Sequence, residues 1–118
     1  MNIELIVVPT SENVSHVQLV GRLDVLAMKE IDVRFHGETA ARERSAIVDL
    51  SRLEFITSLG IGMLFGCAKS LRRRGQTMVL LGSTGFVDTA LRTVGVHEVI
   101  PFATTLDEAR RLARDARS

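Results

Sequence analysis

A threonine–serine pair, three histidines, one cysteine, an arginine run and a glycine-rich stretch are where this 118-residue chain has residue types suited to chemistry. His16, His36 and His97 fall in a strand, a helix and a loop, and none has a second ligand at metal-binding spacing. They read as surface or half-buried side chains, and no metal is expected. Cys67 lies on a helix beside an apolar stripe with no histidine next to it in sequence. It reads as a small packing residue and not as a nucleophile, although the fold can still bring a distant histidine to it. Arg72-Arg73-Arg74 reads as a solvated helix end that opposes the negative pole of its own dipole, with a phosphate patch as the alternative.

Gly60-Ile61-Gly62-Met63-Leu64-Phe65-Gly66 follows a strand and opens a helix, as a dinucleotide-binding loop does. The spacing is wrong for that role, because the third glycine falls at Gly66 and Phe65 occupies the place it needs. The next strand, Thr77 to Leu81, ends without the acidic residue that holds a ribose hydroxyl, and no lysine follows in the Walker pattern. Nucleotide binding is not expected, nor is any organic cofactor. Thr57-Ser58-Leu59-Gly60 remains. Either hydroxyl can cap the free backbone N–H groups at a helix start. Ser58 can also accept a phosphate, since a helix N-terminus stabilises a dianion through its free N–H groups and its dipole.

The elements that must position these residues are those of an ordinary globular domain. Apolar residues make up 46% and charged residues 25%, which argues against disorder. Tyr and Trp are absent and all aromatic content is five Phe, so stacking on bases or sugars has little to work with. Fifteen basic and fourteen acidic residues give a net charge of +1, too small to steer the chain to nucleic acid or anionic lipid. A single cysteine permits no intrachain disulfide and suits a reducing compartment. Met1-Asn2-Ile3-Glu4 lacks the pattern of a signal peptide, and no apolar run approaches the roughly 20 residues of a membrane span. A cytoplasmic location without membrane insertion is expected.

Ile3 to Val8 and Val14 to Leu23 read as two strands of a hairpin, separated by Pro9 and the turn residues Thr10 to Asn13. Asp24 stands at a helix N-cap, and Met28, Ile31 and Phe35 give the stripe of a helix expected to run to about Arg44. Ser45 to Leu50 reads as a buried strand followed by a turn at Ser51-Arg52. Thr57 to Arg73 reads as a helix with Ile61, Leu64, Phe65, Ala68 and Leu71 facing inward. Thr77 to Leu81 is a short strand, Thr84 to Val94 a helix stopped by Gly95, and Glu98 to Phe102 a last, edge strand containing Pro101. Thr104 or Thr105 caps a final helix through Arg117. The order ββαβαβαβα implies right-handed crossovers and an α/β fold: one domain over residues 1–118, with a mixed, mostly parallel sheet of about five strands and about four helices.

Ile47-Val48-Asp49-Leu50-Ser51-Arg52-Leu53-Glu54-Phe55-Ile56-Thr57-Ser58-Leu59-Gly60-Ile61-Gly62 resembles the signature of STAS domains, in particular bacterial anti-sigma-factor antagonists. That signature is a strand, Asp-Leu-Ser or similar, a spacer, Phe-Ile/Met-Asp-Ser-Ser-Gly-Leu-Gly, then a helix. Gly21-Arg22-Leu23-Asp24 is similar to the family's Gly-Glu-Leu-Asp, Arg74 to Leu80 to its fourth strand, and Val87 to Gly95 to its third helix. The resemblance implies a binding module and not an enzyme. Its partners would be an anti-sigma factor that is also a serine kinase of the GHKL type, and a PP2C-type phosphatase. By the same resemblance Ser58 is the phosphoacceptor, with Thr57 as the alternative, and Arg22, Asp24, Thr57, Leu59, Gly60 and Gly62 belong to the partner-binding surface. Three positions depart from the family: Thr57 replaces its Asp, Leu59 its second Ser, and Arg22 its Glu. The competing expectation is a constitutive STAS subunit of a transport or stress-sensing assembly, in which Ser58 has no switching role.

Overall fold

Pro9 and the turn that follows break the first apolar run, and the Thr10 hydroxyl accepts from the Glu12 N–H at 3.2 Å. The flanking segments β1 (Ile3–Val7) and β2 (Ser15–Leu23) therefore pair as an antiparallel hairpin. The computed structural model describes residues 2–115. After the hairpin come α1 (Val25–Glu38), β3 (Ala46–Ile56), α2 (Ser58–Arg72), β4 (Met78–Leu81), α3 (Gly85–Thr93), β5 (Phe102–Ala103) and α4 (Leu106–Asp115). The five strands lie in the order β1-β2-β3-β4-β5, and every pairing after the hairpin is parallel. The expected α/β order and mixed, mostly parallel sheet are those observed.

Period-two alternation divides the sheet into two faces. Ala46, Val48 and Leu50 of β3 and Met78 and Leu80 of β4 join one core with Ile31, Phe35, Leu64, Leu71 and Leu91, so α1, α2 and α3 cover one side. Ile47, Val79 and Leu81 point the other way, onto Ala109 and Ala113 of α4. Helix α4 starts with a reciprocal cap: the Thr105 hydroxyl accepts from the Glu108 N–H at 3.2 Å, and the Glu108 carboxylate accepts from the Thr104 N–H at 2.8 Å. It is tied to the β1–β2 turn by Glu12, which pairs with Arg110 at 3.2 Å and Arg114 at 3.0 Å. The expected extension of this helix to Arg117 lies outside the described residues.

Four local expectations are corrected. Helix α1 stops at Glu38, not near Arg44, because the Thr39 N–H and hydroxyl both turn back to the Phe35 carbonyl, at 3.1 and 2.7 Å. A 3-10 turn over Ala40–Arg42 and a left-handed Glu43 (φ 57°) complete the reversal. Ser51-Arg52 is not a turn. Strand β3 continues through it to Ile56 and bulges twice against β2, between Asp49 and Arg52 and between Leu53 and Phe55. Asp49 accepts the N–H of Ser51 at 2.9 Å within the continuous strand. The last strand is only Phe102–Ala103: left-handed Gly95 (φ 82°) leads into a 3-10 turn at Val96–Glu98, and Ile100 donates back to Val96 at 2.8 Å. Phe65 is half-buried on the flank of α2, while Met63, Leu64, Cys67 and Leu71 fill the core.

His16 is the one side chain among the described residues with a buried, unpartnered polar atom, its Nε2. Burial lowers the imidazole below its ordinary range, opposed by Asp49 and reinforced by Arg110. The unfolded chain then takes up the proton first on acidification, so this contribution to stability is complete above about pH 6.5 and is lost as pH falls through the folded-state value. Urea midpoints measured on either side of that pH should fall towards acid less in His16→Gln than in wild type. An equal fall in both would remove His16 from the acid limb. By the packing above, Leu64→Ala should cost about 2–5 kcal/mol and Phe65→Ala distinctly less, measured by the same unfolding curves.

Candidate functional site

The parallel register sets Leu23 beside Ile56, so β2 and β3 end side by side and release α1 and α2 from adjacent points. Each release is an N-cap. Asp24 is extended (φ −90°, ψ −174°), and its carboxylate accepts from the Ala27 N–H at 2.9 Å. Thr57 is likewise extended (φ −95°, ψ 171°) and its hydroxyl oxygen accepts from the Gly60 N–H at 3.3 Å. The same hydroxyl lies 3.4 Å from the Leu23 carbonyl, to which it donates, and the Thr57 N–H donates to that carbonyl at 3.1 Å. Both hydrogen-bonding capacities of Thr57 are thereby used inside the fold.

Ser58, the first residue of α2, is exposed, and its hydroxyl makes no hydrogen bond among the described residues. Of the two hydroxyls that the sequence offers for the cap, the fold uses Thr57 and leaves Ser58 free. Leu59 is 55% exposed, and Gly62 faces open space, since a Cβ there would meet nothing within 4 Å. The first turn of α1 carries Val25 and Leu26, 53% and 68% exposed. Gly60 differs from the other expected contact residues because it is buried. A Cβ would lie 2.8 Å from Leu23 Cδ2 and 2.9 Å from Ile56 Cγ1, so the missing side chain lets α2 seat against the strand ends.

Arg22 emerges on the opposite face of β2 from Leu23. Its guanidinium carbon sits 4.4 Å from the Phe55 ring centroid, and Phe55 stacks on Phe86 of α3 at 5.3 Å with an interplanar angle of 10°. A cation over an aromatic face is attracted by the ring quadrupole. The stack holds Arg22 out from the sheet, and Phe86 itself remains 55% exposed. Sequence reading missed this feature. The pairing of Arg22 with Phe55 depends on the two bulges of β3, which shift the register without leaving a periodic signal.

The remaining chemical candidates resolve simply. Cys67 Sγ lies 3.7 Å from His36 Nδ1, so the fold does bring a histidine to the thiol. Burial raises the thiol's pKa, an effect opposed by the Thr39 hydrogen bond and added to by Asp32, which keeps the sulfur protonated and a poor nucleophile. Among the described residues no three His, Cys, Asp or Glu side chains gather as a metal site, and no helix is long and apolar enough to cross a membrane.

Comparison with known proteins places this geometry in a family. The model of the STAS domain matches residues 6–109. A comparison with curated protein sequences finds no match. Among solved structures, an anti-sigma factor antagonist from Mycobacterium paratuberculosis superposes with a TM-score of 0.84 at 23% identity, covering 96% of this chain and 95% of that one. The anti-sigma factor antagonist SpoIIAA in its unphosphorylated form gives 0.73 at 20% identity, covering 96% of each chain. The phosphorylated form of SpoIIAA, described as a Bacillus cell fate determinant, gives 0.65, covering 92% and 99%. The murine anion transporter Slc26a9 matches at 0.64 and 16% identity over 87% of this chain, which is 18% of that chain. With the family model running from within β1 to within α4, over well more than half of the sequence, the chain belongs to the STAS domain family.

Proposed function

We propose that this protein is a binding module of the anti-sigma-factor antagonist kind, which sequesters a partner serine kinase/anti-sigma factor and is switched by phosphorylation of Ser58. The observation that carries this reading is the division of labour at the start of α2. Thr57 is consumed as cap and strand clamp, while Ser58 stands exposed and unbonded one residue later. Phosphate at that position meets the free N–H groups and the positive pole of α2, so the domain tolerates it. It also brings a charge of about −1.5 to −2 among the exposed apolar side chains Leu59 and Leu26, where a partner must desolvate it. The structural relative seen in both unphosphorylated and phosphorylated forms supports seeking a modification here. Return to the binding state requires a phosphatase, of the PP2C type by analogy with the family. The partner is a GHKL-type kinase on the same analogy, acting in the cytoplasm.

Arg22, Asp24, Leu59 and Gly62 belong to the contact surface in this proposal, and Gly60 supports it from below. The likeness to one domain of an anion transporter favours a second reading, a constitutive STAS subunit in which Ser58 stays unmodified.

Three variants separate these readings. Ser58→Asp should leave thermal stability nearly unchanged, because a carboxylate at a helix N-terminus contributes about 0.3–1 kcal/mol in its favour. Its affinity for the cognate kinase should fall by about 2 kcal/mol, roughly 30-fold. Ser58→Ala should bind like wild type and take no label from kinase and ATP. Thr57→Ala should lose about 1 kcal/mol of stability with its cap and still be phosphorylated. Wild-type affinity in Ser58→Asp, or the absence of label at both residues, would overturn the switch and put the constitutive subunit in its place.

A further inference from the structure

Helix α2 has a second functional-looking surface at the end away from Ser58. A groove of about 590 Å³ runs between its flank and the turn that follows Val96–Glu98. Phe65, Gly66, Ala68 and Val99 form its apolar floor, and Lys69, Arg72 and Arg73 line its rim. The five α2 positions and the C-cap Arg73 fall at i, i+1, i+3, i+4, i+7 and i+8 from Phe65, which is one continuous flank. None of the three cations has an ion-pair partner among the described residues, whereas neighbouring Arg74 pairs with Glu43 at 3.2 Å.

Gly66 supplies an independent observation. Glycine is among the least favourable residues in a helix interior, and internal packing does not require one here, since a Cβ would meet no heavy atom within 4 Å. The bare backbone instead opens the groove floor to whatever lies in it. Phe65, expected in the core, is half-buried because one side of its ring faces this groove.

We infer that this groove docks an acidic amphipathic helical segment of a partner protein, with apolar side chains on Phe65, Ala68 and Val99 and carboxylates against Lys69, Arg72 and Arg73. Three cations spread over more than one helical turn match several carboxylates on a peptide better than the single headgroup of a small amphiphile. The groove volume lies within the roughly 300–1,000 Å³ that holds a few side chains or a small ligand. Lys69 stands eleven residues beyond Ser58, about 16 Å along the helix at about 1.5 Å per residue. That is beyond the screening length of about 8 Å at physiological salt, so the groove binds whether or not Ser58 carries a phosphate. The inference is independent of the proposed switch.

The test uses a synthetic helical peptide with leucines at i, i+4 and i+7 flanked by glutamates, titrated into isotope-labelled protein. A lysine-for-glutamate peptide and phosphatidylglycerol–phosphatidylcholine vesicles are run beside it. Amide shifts should centre on Gly66, Lys69 and Val99, and binding should weaken with added salt. Gly66→Leu, which fills the floor, and the double variant Lys69→Glu/Arg73→Glu should each weaken the peptide about tenfold, with thermal unfolding showing both still folded. Ser58→Asp should hold peptide affinity within about twofold of wild type. Equal binding of the lysine peptide, shifts centred elsewhere, or vesicles binding this flank in place of the peptide would each overturn the inference. Loss of peptide affinity in Ser58→Asp would also overturn it, by making the groove part of the switch surface.

Discussion

The hydrogen bond from the Thr57 N–H to the Leu23 carbonyl is the constraint on which the site depends. It joins the ends of two parallel strands after β3 has absorbed two bulges relative to β2, and so fixes where α2 begins. Gly60 then has to pass within van der Waals contact of Leu23 and Ile56, a space that no Cβ can share without a shift of both side chains. From the neighbouring strand end Asp24 starts α1 by the same kind of cap. Two helix N-termini are thereby presented side by side at one end of the sheet, in keeping with the tendency of open α/β sheets to build their sites beyond the carboxyl ends of parallel strands.

Those helix starts are electrostatically unequal. Asp24 places a carboxylate at the cap of α1, Asp88 lies in the first turn of α3, and Asp107 and Glu108 lie in the first turn of α4. Helix α2 alone among the described α-helices has a neutral cap and no acidic residue in its first turn. The family's Asp at position 57 would have partly neutralised this pole, and Thr57 does not. A departure that removes a carboxylate next to Ser58 therefore also leaves the helix dipole uncompensated there, a setting electrostatically favourable to an anion.

The sequence made the element types and their order legible, because the apolar signals were bounded and periodic: the run Ile3–Val7 ends at Pro9, and Ile61, Leu64, Ala68 and Leu71 form a helical stripe. Boundaries failed where short polar residues formed local bonds that imitate other structures. Asp49 binding the Ser51 N–H resembles a turn inside a continuous strand, and Thr39 ends α1 within a run of good helix formers. At the site, the choice between Thr57 and Ser58 as cap was open in sequence because both side chains have the needed oxygen. Only the register of β3 against β2 brings the Leu23 carbonyl to Thr57 and decides it. The Arg22–Phe55–Phe86 stack was illegible for the same reason, since it joins three elements through a bulged pairing.

Helix α2 carries two glycines, Gly62 and Gly66, on a flank where nothing packs against them, each costing about 1 kcal/mol of helix propensity relative to alanine. A helix with these residues is held by tertiary burial of Met63, Leu64, Cys67 and Leu71 more than by its own preference. The face that stabilises it is thus separate from the flank that contains Ser58, Gly62, Gly66, Lys69 and Arg73. Beyond the cap at Thr57 and the seat at Gly60, α2 is held by its core face, so charge on its outward side is decoupled from the packing that keeps it in place. The same separation explains why the exposed Leu59 can depart from the family, while the buried glycine at position 60 cannot be exchanged for a larger residue without moving Leu23 or Ile56.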